Sequence, residues 1–145
     1  MVDIPGDVKK VLEERGVDPK DITAVVEGAE SSGDKLVSGD KSMAKKQCGD
    51  VVCYAIYAGN KVVSGWSHKL HEQDIKHVVE EETQEWTCNK CGGVTVRGNM
   101  DLEYLGVTRL APVVVCPKCM NGYIEEDIAA KTLVVAAMLL EKKAG

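Results

Sequence analysis

Two pairs of cysteines have the spacing to do chemistry: Cys88-Asn89-Lys90-Cys91 and Cys116-Pro117-Lys118-Cys119, with 24 residues between Cys91 and Cys116. Each short turn aims two sulfurs at one point while its backbone amides solvate their charge, so two such turns supply a tetrahedral thiolate shell. Gly92 and Gly93 permit the positive backbone angles that curl the first turn, and Pro117 stiffens the second. Cys88, Cys91, Cys116 and Cys119 are therefore the candidate metal ligands. A catalytic zinc keeps one position for water or substrate, so four sulfurs describe a structural Zn2+. One Fe fits the same ligands and passes a single electron, as in rubredoxin, and ligand softness does not separate the two metals. A metal-free dithiol at Cys116 and Cys119 needs a βαβ context, whereas a β-rich run precedes this pair.

Other reactive residues form no recognisable pattern. His68, His71 and His77, joined by Cys48 or Cys53, carry the right donor types for a second metal site, but their spacing matches no standard signature. The plainer expectation is three partly exposed histidines and two buried, inert cysteines. Cys48 and Cys53 are offset across a tight hairpin, which disfavours a disulfide. Trp66 and Trp86 are expected in the core. No nucleophile elbow, phosphate loop or catalytic carboxylate pair is visible, so an enzyme built on His68 or a free thiol would rest on composition alone.

A chain of 145 residues holds one domain with a fair core, or two small ones of which one needs a staple that a metal would supply. The net charge of −5, without a Lys/Arg cluster, argues against nucleic acid. The longest apolar run, Leu133 to Leu140, is far short of a membrane span, and the start of the chain lacks an apolar signal run. No membrane partner is expected, and a soluble, cytoplasmic protein is. Six cysteines with four in metal spacing suit a reducing compartment.

The elements that position the cysteines follow from periodicity. Val8, Val11 and Leu12 share a helical face between Pro5 and Gly16. Asp18-Pro19-Lys20-Asp21 caps a second helix carrying Ile22, Val25, Val26 and Ala29 and stopping near Gly33. After a loop or very short strand over 31–41, the segments 43–48, 51–57 and 61–68 read as a meander turned by Gly49-Asp50 and Gly59-Asn60. That register would oppose Val51 to His68 and Cys53 to Trp66 on one face, with Val52, Tyr54, Ile56 and Val63 on the other. Residues 69–85 are charged, and Glu80-Glu81-Glu82 marks a solvated connection. Strands over 94–96 and 110–115 complete a zinc-ribbon-like unit, and a helix from about Glu125 to Lys143 ends the chain. Residues 133–140 of that helix are apolar on every side, so part of it is expected to dock against a larger enzyme subunit or a second copy, with Lys131 and Thr132 at its less buried edge.

The fold expected is α+β: residues 1–78 as a two-helix and antiparallel β-meander domain that folds without metal, and 79–145 as a four-cysteine, rubredoxin-like zinc ribbon followed by one apolar helix. The run from Trp86 through both cysteine pairs to Tyr123-Ile124-Glu125-Glu126 and Leu139-Leu140-Glu141-Lys142-Lys143 resembles a family of small anaerobe proteins with two Cys-x-x-Cys pairs and one helix, loosely described as redox proteins. Met120 departs from that pattern, where a glycine usually follows the second pair. Ala44-Lys45-Lys46, the strand from Val51 to Tyr57 and Ser67-His68-Lys69 are similar to the CLEAN domain, with Trp66 and Lys69 in place of the tyrosine and arginine of its Tyr-Ser-His-Arg-like motif. Genes of such families often lie beside tungsten, molybdenum, flavin or iron-sulfur oxidoreductases. The resemblance thus implies a non-catalytic accessory or small subunit of an anaerobic enzyme complex.

Overall fold

The computed structural model describes residues 2–144, and the side chains of all of these except residues 77, 79–84 and 144. Helix α1 (Gly6–Glu14) follows Pro5, and α2 (Pro19–Ser32) is capped as its sequence dictates. Asp18 accepts from the Lys20 amide at 2.9 Å, and Gly33, at φ +80°, closes the other end through its N–H to Ala29 O. Eight antiparallel strands follow: β1 (Leu36–Ser38), β2 (Lys41–Cys48), β3 (Val51–Ala58), β4 (Lys61–His68), β5 (His71–Cys88), β6 (Val94–Tyr104), β7 (Val107–Cys116) and β8 (Asn121–Tyr123). They form one sheet in the order β4-β3-β2-β1-β5-β6-β7-β8. The molecule is α+β with β predominant, and the ribbon strands are long hairpins rather than the short segments expected.

The three-stranded meander forms where expected, but its register changes partway. Tyr57 opposes Val62, whereas Ile56 opposes Ser64, so β4 holds one extra residue at Val63. Every later pair is displaced by one: Val52 faces His68, Cys53 faces Ser67 and Tyr54 faces Trp66. A hairpin turn sets register only as far as the first bulge. The shift moves Trp66 and His68 to the face of Tyr54 and away from Cys53, correcting the expected pairing.

Each face of this meander has its own cover. Ala44, Cys53, Ala55, Tyr57 and Val62 pack under α1 and α2, against Leu12, Ile22, Val25 and Val26. Gly65 belongs to this contact, because a Cβ there would sit 2.8 Å from a Leu12 methyl and 2.9 Å from an Ile22 methyl. On the other face Met43, Tyr54 and Trp66 enter a core shared with Met100, Leu102, Val113 and Val115 of β6 and β7. The sheet must curl for this to happen. Trp66 Nε1 donates to Ile124 O at 3.2 Å and Ile124 N donates to the Tyr54 hydroxyl at 3.1 Å, so the two ends of the strand order meet.

The charged stretch expected as a connection is instead strand. β5 pairs with β6 through four register irregularities. Such irregularities break the period of two that would have revealed a strand. The boundary expected at residue 78 falls inside β5, and the acidic side chains of 80–82 lie outside the described residues. The C-terminal helix opens with a π-helical stretch (Ile128–Leu133) and continues as α3 (Val134–Ala144). Ala129, Leu133 and Ala137, on successive turns, are buried in the shared core. Val134, Val135, Met138 and Leu139 are 41–62% exposed.

Candidate metal centre

Cys88 ends β5 and Cys116 ends β7, so antiparallel strands bring the two turns to the same end of the sheet. In the first turn the Gly92 amide returns to Cys88 O at 2.8 Å, and Gly92 itself lies at φ +69°. In the second the Met120 amide returns to Cys116 O at 2.8 Å, and Met120 lies at φ +56°. The two turns are thus built alike, and Met120 holds a left-handed conformation that costs an L-residue about 1 kcal/mol or more. The first turn is anchored on the helical half: Asn89 N donates to Lys35 O at 3.0 Å, Asn89 Nδ2 to Gly33 O at 3.1 Å, and Leu36 of β1 pairs with Cys88.

The four sulfurs lie within 4.8 Å of one another. Cys88 and Cys119 are 3.8 Å apart and Cys91 and Cys116 3.4 Å, close to the edge of about 3.8 Å that a tetrahedron of zinc–thiolate bonds requires. Cys88 and Cys116 are buried and Cys91 and Cys119 exposed. Backbone amides already solvate the sulfur charge, with Cys119 N donating to Cys116 Sγ at 3.4 Å. The Gly93 amide, followed by a hydrogen bond with Cys116, brings Cys91 down to about 7. Hydrogen bonds with Cys116 and Cys88 push Cys119 up to about 12, and burial raises Cys116. Protons are shared among the sulfurs only while no cation is present; an ion would replace those protons, as thiolate ligation requires. Cys88, Cys91, Cys116 and Cys119 are brought together as the spacing predicts, and this donor set fits a metal ion.

Of the histidines with described side chains, neither His68 nor His71 joins Cys48 or Cys53 in a ligand group. His71 is exposed on β5, and the side chain of His77 lies outside the described residues. His68 is buried rather than partly exposed, on the side of the meander opposite Cys53. It joins a polar cluster that the sequence did not disclose. Glu72, the second residue of β5, accepts from Tyr54 Oη at 2.5 Å and contacts His68 Nε2 at 2.8 Å through one oxygen, and accepts from Lys45 Nζ at 2.7 Å through the other. Lys45 also donates to Gly122 O and lies 5.1 Å from the Tyr123 ring centroid. Burial works to raise the Glu72 pKa, but His68, Lys45 and Tyr54 together hold it below the usual carboxylate range. The carboxylate therefore stays charged and selects the His68 tautomer with its proton on Nε2, leaving Nδ1 buried without a partner. Lys45 and Glu72 border a cleft of about 650 Å³. With its charges mutually satisfied, the cluster ties β2, β3, β4, β5 and β8 together and offers no free nucleophile. Only the bulge at Val63 could have revealed it, and nothing in Lys61–His68 marks that bulge.

Residues 84–143, which contain both cysteine turns and the helix after them, match a family described as a domain of unknown function (DUF7479). Comparison with curated proteins gave no match, and neither did comparison with solved structures. Among the described residues no helix is long and apolar enough to cross a membrane.

Proposed function

We propose that the chain is a non-catalytic, zinc-stabilised accessory subunit of a larger redox or metabolic enzyme complex. One observation carries the reading: four sulfurs converge within 4.8 Å, enough to saturate a tetrahedral ion and leave no position for substrate. The ion's role is then to hold β5, β7 and the α2 end of the helical half together. Zinc suits this because it has no redox chemistry. The resemblance to the small anaerobe proteins supports the accessory role, and the exposed Val134, Val135, Met138 and Leu139 are the face the subunit would offer a larger partner or a second copy. The acidic chain carries no cation cluster for nucleic acid.

A second reading, a rubredoxin-like single-iron electron carrier, draws on the exposure of Cys91 and Cys119, which would give an electron a short path to a docked partner. Metal analysis of protein isolated from its native cells separates the two: one zinc per chain and no colour for the first, one iron and a visible thiolate–iron band for the second. Sizing tests the subunit role. Val135→Glu or Leu139→Glu should leave a folded chain that no longer assembles, and unaltered assembly with a well-folded subunit would overturn it.

A further inference from the structure

A second group of metal-ligand atoms lies on the opposite face of the meander. The pairs Cys48 with Val51 and Lys46 with Cys53 place Cys48 and Cys53 diagonally across the β2–β3 hairpin, both on the side covered by α2. Asp21, in the first turn of α2, completes the group, and its carboxylate oxygen and the two sulfurs all lie within 4.8 Å of one another. We propose that Asp21, Cys48 and Cys53 form a second, open-shell site for a thiophilic divalent cation such as zinc.

The chemistry favours a cation. Among the described residues no amide, lysine or arginine is seen to donate to the Asp21 carboxylate, which instead lies beside two thiols. Such a half-buried oxygen gains most from a positive ion. Loading forms two sulfur–metal bonds and one oxygen–metal bond and releases two protons to solvent. Lys46, beside Cys48, offsets part of the negative charge of two thiolates and one carboxylate around a divalent ion. Edges near 3.8 Å are needed around zinc, so small rotamer changes close the group on its ion.

Three protein ligands leave one coordination position open, the arrangement in which zinc binds water or a small substrate donor. Cys48 is half-buried beside the Gly49-Asp50 turn, which leaves that position reachable from solvent. The ion here is consequently exchangeable, in contrast to one enclosed by four sulfurs.

Cobalt(II) titration of the reduced, metal-free full-length chain, followed by thiolate-to-cobalt absorption, tests the inference. The wild type should saturate at two equivalents, the second bound more weakly. Cys48→Ser should saturate at one, and Asp21→Asn, which keeps both thiols and the shape of the carboxylate, should bind the weaker equivalent at least tenfold less tightly. One equivalent in the wild type that Cys48→Ser abolishes would still support this site and would instead remove the ion from the four-cysteine cluster. One wild-type equivalent that Cys48→Ser retains, or two that it leaves unchanged, overturns the proposal. A reducible Cys48–Cys53 disulfide in protein isolated without oxygen also overturns it. The wild-type count and Asp21→Asn keep the test decisive should Cys48→Ser fail to fold.

Discussion

The four-cysteine cluster and the Lys45–Glu72–His68–Tyr54 cluster are both polar centres set between strands, and they differ in what completes them. Glu72 has a lysine, a histidine and a tyrosine within hydrogen-bond distance, so its charge is neutralised from within the chain. The four thiols have mainly each other and a few amides, so they are placed to take a cation from outside. Both join the helical half to the ribbon half. The fold is thus closed once by its own charges, and an ion held by the four cysteines would close it a second time.

The largest expected effect breaks the second closure. Structural zinc supplies on the order of 10 kcal/mol to a small fold, so Cys116→Ser should abolish ion binding and destabilise the chain by several kcal/mol. Tyr54 and Trp66 share a core with the ribbon strands, and Leu36 pairs with Cys88, so the loss should spread into residues 1–78. Amide signals followed during chelation check this: dispersion lost throughout is expected, whereas dispersion kept only in 1–78 would show that the helical half stands alone.

Breaking the first closure should cost somewhat less. Glu72→Ala leaves Lys45 and His68 without their partner, and removing one member of a buried pair costs about 3 to 5 kcal/mol. Metal content should be unchanged, and a Lys45→Met, Glu72→Gln double variant should recover part of the loss in urea melts. A metal content that falls with Glu72→Ala would show that the two closures are one.

Acid sharpens the same contrast. Glu72 titrates lower in the folded chain than a free carboxyl, so its contribution is complete above the ordinary value of about 4.3 and disappears as pH falls through the depressed folded value. The stability gap between wild type and Glu72→Gln should therefore be constant at neutral pH and close in that acid range. A gap that widens on acidification contradicts the assignment. The smallest effect compares the two cysteine turns: Met120→Gly should stabilise by about 1 kcal/mol, because only the first turn has a glycine at its left-handed position. An unchanged urea midpoint would mean that Met120 is not strained.

What was legible follows from the range of the interactions. Cys88 to Cys91 and Cys116 to Cys119 are local turns, and Asp18 and Gly33 are local caps, so spacing alone placed them. His68 and Glu72 depend on one extra residue at Val63, and the length of β5 on four irregularities in its pairing, none of which leaves a periodic trace. Asp21 was visible as a first-turn acid of α2, but its approach to Cys48 and Cys53 is set by how α2 lies on the sheet.

X-ray absorption at the zinc edge, on the Cys48→Ser chain loaded with one equivalent, tests the central claim that the four cysteines enclose one ion. Four sulfurs at about 2.3 Å and no lighter ligand are expected. A shell with a nitrogen or oxygen ligand, or with fewer than four sulfurs, would contradict it.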